Sequence, residues 1–161
     1  MTSFAFSSPQ EARAGGGFEP RLRSPLARAV EHAPWLRDLS LLPKLEVRGD
    51  VAALDGDGDV VRITSSRALV LGDGAKRAHL ENAGYFVTDM TGALAGLELE
   101  GVQLMRRLTE LDLDALPAVG SVAHVQTYVL RDGDRFRLFF PQEYADYVAE
   151  VVVDTAEGLA R

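Results

Sequence analysis

The sequence predicts an α+β fold: a ferredoxin-like split βαβ core, with an antiparallel sheet carrying helices on one face. Three observations point there. From Ala68 onward, stretches of period two and period 3.6 follow in the order β-α-β-β-α-β-β-α. Glycine-bearing breaks at Gly72-Asp73-Gly74, Gly84 and Asp132-Gly133 separate them. The chain, at 161 residues, is long enough for one cored domain and too short for two comfortable ones. The expected organisation is a flexible tail over residues 1–22 and a single domain over 23–161.

The tail is expected because Met1 to Pro20 is rich in Ser, Ala and Gly, contains Gly15-Gly16-Gly17 and lacks an apolar period. Ser24 then supplies an N-cap, and Pro25 fits the first helical position, where its missing N–H costs nothing. Leu26, Ala29, Val30 and Ala33 form the apolar stripe of that helix, Pro34 stops it, and Trp35 is expected to pack on the body. Leu45 and Val47, alternating with Lys44, Glu46 and Arg48, predict a half-buried strand closed by Gly49-Asp50. Asp55–Asp59 is a turn. Val60–Thr64 and Ala68–Leu71 form a hairpin around Ser65-Ser66-Arg67. Ala75–Ala83 is a short helix, with Ala75, Ala78 and Leu80 inward and Gly84 at its C-terminal end.

In the second half, Tyr85–Met90 and Leu94–Leu99 are strands, and Val102–Leu111 is a helix with Leu104, Leu108 and Leu111 on one face. Ser121–Leu130 and Phe136–Phe140 form a hairpin tipped by Asp132-Gly133. A last helix begins near Pro141 and ends at Gly158. Tyr144, Tyr147, Val148, Val151, Val152 and Thr155 recur along it at helical spacing, so Val151-Val152-Val153 is expected to be a buried stripe despite its β-branching.

Composition removes several function classes. With no cysteine there is no disulfide, thiolate zinc site or thiol nucleophile. A net charge of −7 argues against nucleic-acid binding, which needs clustered Lys and Arg. No signal-like leader or long apolar run appears, so a cytoplasmic protein without a membrane partner is expected. Charge is uneven: residues 1–37 carry +2 and the remainder −9. The arm bearing Arg13, Arg21, Arg23, Arg28 and Arg37 either meets an acidic partner or folds back on its own body, the second being favoured.

Several motifs suggest chemistry and each has a plainer reading. Asp55-Gly56-Asp57-Gly58-Asp59 opens like a calcium loop, but an EF-hand would require Gly and Glu where Val60 and Ser66 stand, so a solvated turn is expected and no metal. Gly72-Asp73-Gly74-Ala75-Lys76 precedes a helix but lacks the Walker spacing, leaving a turn and a cap. His32 and His79 lie on helices, with His79 outward. His124 is expected in mid-strand beside Gln126 and Tyr128, hydrogen-bonded to a neighbour. Phe136, Phe139, Phe140, Tyr144 and Tyr147 could stack a pterin or base, but their spacing fits core packing. No acid–base pair, nucleophile set or ligand cluster emerges, so no catalytic, cofactor-binding or metal residue is assigned.

Ala68-Leu-Val-Leu-Gly-Asp-Gly, a short helix, and Val87-Thr-Asp-Met-Thr-Gly-Ala together resemble the gamma subunit of heterotetrameric sarcosine oxidase, within the folate-binding superfamily of the glycine-cleavage T-protein (aminomethyltransferase). The likeness continues through Leu97-Glu-Leu-Glu-Gly-Val-Gln-Leu-Met, Leu111-Asp112-Leu113 and Phe140-Pro-Gln-Glu-Tyr-Ala-Asp-Tyr. Arg23-Ser-Pro-Leu-Ala and Leu45-Glu-Val-Arg-Gly also fit, so it spans roughly residues 23–158. Thr109-Glu110 stands where the family often has Cys-Pro. Asp38-Leu39-Ser40 is similar to the Asp-x-Ser of aminomethyltransferases, but Leu41 and Pro43 replace the His and Gly that follow there. The glycine-plus-paired-aspartate segment that holds folate has no counterpart.

The resemblance implies an aminomethyltransferase-like folate-binding-domain fold and a non-catalytic small subunit in one-carbon metabolism, packed on the large alpha subunit beside beta and delta subunits. FAD, FMN, NAD and tetrahydrofolate would then reside on those partners and none on this chain. The alternatives are a stand-alone folate-binding aminomethyltransferase-like protein and a ferredoxin-like ligand-sensing module. A docking subunit should expose apolar side chains, for which Val60, Ile63, Leu94 and the Leu39-Leu41-Leu42 run are candidates.

Overall fold

Residues 23–54 and 59–160 are described by the computed structural model; the expected tail and most of the Asp55–Asp59 turn lie outside them. The strands are β1 (Arg37–Asp38), β2 (Lys44–Arg48), β3 (Val60–Thr64), β4 (Arg67–Leu71), β5 (Phe86–Asp89), β6 (Leu94–Glu100), β7 (Ala118–Val122), β8 (Val125–Asp132) and β9 (Arg135–Pro141). The helices are α1 (Ala27–His32), α2 (Gly74–Asn82), α3 (Val102–Leu108) and α4 (Ala145–Leu159). The α+β class is as expected.

The strands divide between two antiparallel sheets. One has the order β1-β6-β9-β8-β7, the other β3-β4-β2-β5. In the smaller sheet β4 and β5 are both antiparallel to β2, which lies between them. They therefore run parallel to each other, joined by α2: a split βαβ unit.

Side-chain alternation assigns the layers. On β9, Phe136, Leu138 and Phe140 face α1, α3 and α4, whereas Phe139 faces the smaller sheet. On β4, Ala68 and Val70 face α2, whereas Leu69 and Leu71 face the larger sheet. The order is α2, four-stranded sheet, five-stranded sheet, then the other three helices. Both faces of each sheet are thus covered.

That stacking explains several departures from expectation. Lys44 and Glu46 are buried with Leu45 and Val47, because the second sheet covers the face that alternation assigned to solvent. Ser121–Leu130 is not one strand. It breaks at Ala123-His124, where both residues take positive φ (49° and 64°) in a two-residue hairpin turn between β7 and β8. The Ala123 N–H donates to the Leu108 carbonyl at 2.8 Å, tying that turn to the end of α3. α3 stops at Leu108, short of Leu111, as Thr109 turns extended to bridge Val122 and its Oγ1 donates to the Ser121 carbonyl (2.6 Å).

Ser24 is not the N-cap of α1: the helix starts at Ala27, and its N-cap is Leu26 with no side-chain cap, although the Leu26 N–H donates to Ser24 Oγ at 3.0 Å. Asp73 Oδ1 accepts from the N–H groups of Ala75 and Lys76, and Gly84 follows α2 with φ +89°, a conformation that suits glycine. On α2 only Leu80 is buried; Ala75 and Ala78 are exposed, contrary to the expected stripe. On α4 the buried set is Ala145, Val148, Ala149 and Val152, while Tyr144 and Tyr147 remain 45% and 43% exposed. Trp35 is likewise 48% exposed rather than packed.

Candidate functional site

The smaller sheet meets the larger along a seam that begins where β1 leads into β2. Gly96 on β6 makes the joint possible: a Cβ there would lie 2.8 Å from the Leu39 backbone and from the Phe139 ring. With no side chain in the way, the Leu39 N–H reaches the Gly96 carbonyl at 2.7 Å, and Ser40 Oγ accepts from the Gly96 N–H at 3.1 Å. Ser40 is buried, and the Leu39–Pro43 connector is pinned over β6.

Lys44 closes the joint from the other side. Its side chain is 0% exposed. Nζ donates to the Ser40 carbonyl at 2.7 Å and to the Leu42 carbonyl at 2.8 Å, and stands 5.7 Å from the centroid of the Phe139 ring. Burial brings the ammonium down to a pKa of about 8, with Asp89 and then Asp38 pulling it back up. Two residues on, Glu46 accepts from Arg48 Nε at 2.7 Å and from Arg67 Nη2 at 2.8 Å. Burial pushes its carboxyl upward, but the arginine hydrogen bonds and charges outweigh that and hold it below the ordinary glutamate range. Tyr128 on β8, half-buried nearby, is pushed up by burial and then by the Glu46 charge. Lys44 is spent on backbone carbonyls and Glu46 on two arginines, while Arg67 Nε is buried without a hydrogen-bond partner, so the seam acts as a structural clasp between sheets.

The residues singled out from the sequence are dispersed. Asp59 belongs to the described part of its acidic turn and pairs with Arg137 at 2.8 Å. Asp73 occupies the N-terminus of α2 with its own carboxylate, where a phosphate would otherwise meet N–H donors. The His32 ring bonds the Arg28 carbonyl at 2.9 Å, and His79 is exposed. His124 sits in the exposed hairpin turn, not in mid-strand, and has no hydrogen-bond partner among the described residues. It lines a surface cavity of about 350 Å³ with Arg107, Glu110 and Ser121.

Of the aromatics, Phe136, Phe139 and Phe140 are core, as expected, while Tyr144 and Tyr147 are not. Among the proposed docking residues, Val60, Leu94 and Leu39 are buried, because both faces of each sheet are covered. Leu41 and Leu42 are exposed, at the outer turn of the clasped connector. Phe86 on edge strand β5 is the most exposed large apolar side chain of the described residues. Among these residues no cluster of three or more His, Asp or Glu is placed to hold a metal, and no helix is long and apolar enough to cross a membrane.

Sequence comparison finds no matching family model and no matching curated protein. Structure comparison does find a likeness. The chain matches one from the heterotetrameric sarcosine oxidase of Corynebacterium sp. U-96, solved in complex with pyrrole 2-carboxylate. The TM-score is 0.74 at 17% identity, over 87% of this chain and 97% of that one. This chain has a sarcosine-oxidase subunit fold. At that identity the likeness establishes the architecture, and the function needs a separate argument.

Proposed function

We propose that this chain is the gamma-type, non-catalytic small subunit of a heterotetrameric flavin-dependent sarcosine oxidase or related N-methyl amine oxidase, packed against the large subunit. The observation that carries this is the near-complete mutual coverage with one chain of such a complex. A match covering almost all of both partners means that the neighbour is a chain of about this size. The short motifs that resemble those of gamma chains, from Ala68 through Tyr147, add to it. In this reading FAD, FMN, NAD and tetrahydrofolate belong to the partner subunits, and this chain contributes a folded surface. The exposed Leu41-Leu42 turn and Phe86 are the side chains to examine at the contact.

Co-expression of the tagged chain with candidate alpha, beta and delta subunits tests the proposal. A yellow complex should be recovered through the tag, and the isolated chain should purify without flavin absorbance. Flavin retained by the isolated chain, micromolar tetrahydrofolate binding to it, or oxidation of a methylated amine without partners would each overturn the reading.

A further inference from the structure

We infer that the end of the smaller sheet left uncovered by the larger one, marked by Phe86, Arg48 and Arg67, is the surface that docks on the large partner subunit. The partner brings to it an apolar cavity for the Phe86 ring and a carboxylate for the Arg48 guanidinium. The inference rests on the oxidase-subunit reading and adds to it where, and by what chemistry, the contact is made.

The two sheets differ in extent. Register sets Arg67, Arg48 and Phe86 side by side across β4, β2 and β5. Alternation puts all three on the face that carries Lys44, Glu46, Leu69 and Leu71, which is turned toward the larger sheet. One row further in the cover holds, since Glu46 and Leu69 are buried. In the outer row it has run out. Phe86 is 66% exposed, and the Arg48 and Arg67 side chains are 56% and 42% exposed. Thr88, the other residue of β5 on this face, is exposed as well, so the larger sheet stops short of β5. β5 is also an edge strand. The Met90 N–H goes to the Lys44 carbonyl and N–H direction alternates, so the amides of Val87 and Asp89 point away from β2, with no strand beside them among the described residues. A ring on a backbone fixed in register loses little freedom on binding.

Charge selects the occupant. The chain carries a net −7, yet at this end two arginines flank a single glutamate, which leaves one positive charge over. Glu46 is buried and gives one oxygen to each guanidinium, so it holds the pair in place and has nothing left for a partner. Arg48 spends only its Nε there, and its two terminal nitrogens have no partner among the described residues. A carboxylate matches such a fork with two parallel hydrogen bonds, and a guanidinium already held loses less freedom in accepting it. Arginine and aromatic anchors carry most contact energy, whereas leucine is under-represented, which favours this row over the Leu41-Leu42 turn. Tyr144 and Tyr147 are exposed too, but they lack such company, because α4 carries no Lys or Arg.

Co-expression of the tagged full-length chain with candidate alpha, beta and delta subunits reads the contact. Phe86→Ser should cut the large subunit recovered through the tag roughly tenfold, and Arg48→Gln several-fold. Both side chains are largely exposed, so the isolated variants should melt within a few degrees of wild type. Wild-type recovery should fall as the ionic strength of the wash rises, and Arg48→Gln should flatten that dependence, which a packing defect would not do. A second measurement needs no substitution: in the wild-type complex the amides of Val87 and Asp89 should gain hydrogen-exchange protection. If the wild-type chain recovers no large subunit, the oxidase reading falls and this inference with it. Recovery that Phe86→Ser and Arg48→Gln leave unchanged overturns the inference and leaves the reading standing, as does protection confined to the Leu41-Leu42 turn or to α4. Protection of Val87 and Asp89 that appears in the isolated chain as its concentration rises assigns the face to a second copy and overturns the inference too.

Discussion

The five-stranded sheet is backed by three helices, the four-stranded sheet by one, and the two helical layers bury very different amounts. α4 contributes Ala145, Val148, Ala149 and Val152 to the core, and α3 contributes Leu104, Met105 and Leu108. α2 contributes Leu80 alone. The larger sheet therefore owns a helical core of the ordinary kind, whereas the outer face of the smaller is covered by Leu80 together with Val51 and Leu54 of the β2–β3 connection, and on its other face Val61, Leu69 and Leu71 meet Leu130 and Phe139. Lys44 and Glu46 line that same face. A polar clasp with two charged groups is tolerated there because both are fully engaged, and an engaged buried charge costs far less than an orphaned one.

The sharpest way to break this asymmetry is Phe139→Ala. It removes the largest fully buried apolar side chain between the sheets and should cost about 3–5 kcal/mol. Hydrogen exchange would show the four-stranded sheet opening before the five-stranded one; simultaneous exchange of both would mean that the sheets form one cooperative unit.

Lys44→Met gives a smaller effect with a distinctive pH signature. Leaving the buried Ser40 carbonyl without its donor should destabilise the protein by about 1–3 kcal/mol near neutral pH. The folded-state pKa of about 8 lies below the ordinary lysine value of 10.5, so between these values the unfolded chain binds more protons. Wild-type stability should therefore gain from this group as pH rises through that window, by about 3 kcal/mol in full. Lys44→Met should lack the gain. Denaturant melts of the two proteins at pH 7.5, 9 and 10 would decide it, and parallel curves would remove the buried ammonium from the argument.

Asp73→Ala should cost least, about 1 kcal/mol, by freeing the N–H groups of Ala75 and Lys76. Because α2 holds the sheet through little more than Leu80, exchange should rise across α2 while α3 and α4 stay protected. A spread into α4 would show that the two helical layers are coupled through both sheets.

Local signals survived into the structure with few changes. Asp73 caps its helix, Gly84 ends one, Ser65-Ser66 turns the β3–β4 hairpin, and Asp132-Gly133 sits in or beside the turn between β8 and β9. Each depends on hydrogen bonds or backbone freedom within a few residues, which the order of amino acids sets directly. The spacing of apolar residues likewise placed most strands and all four helices.

What neighbours decided could not be read that way. Whether Lys44 faces water depends on a second sheet contributed by residues about fifty to a hundred positions later in the chain. Ala123-His124 is no turn dipeptide by composition, and its left-handed geometry is tied down by a carbonyl at the end of α3. Tyr144 and Tyr147 share a helical period with Val148, but packing against the sheet chose the stripe centred on Ala145, Val148 and Val152. Sequence by itself determined the elements and their class, since period and capping are local. Tertiary structure alone decided that there are two sheets, which charges are enclosed and which apolar side chains stay outside, since burial is set by whatever else comes to cover a surface.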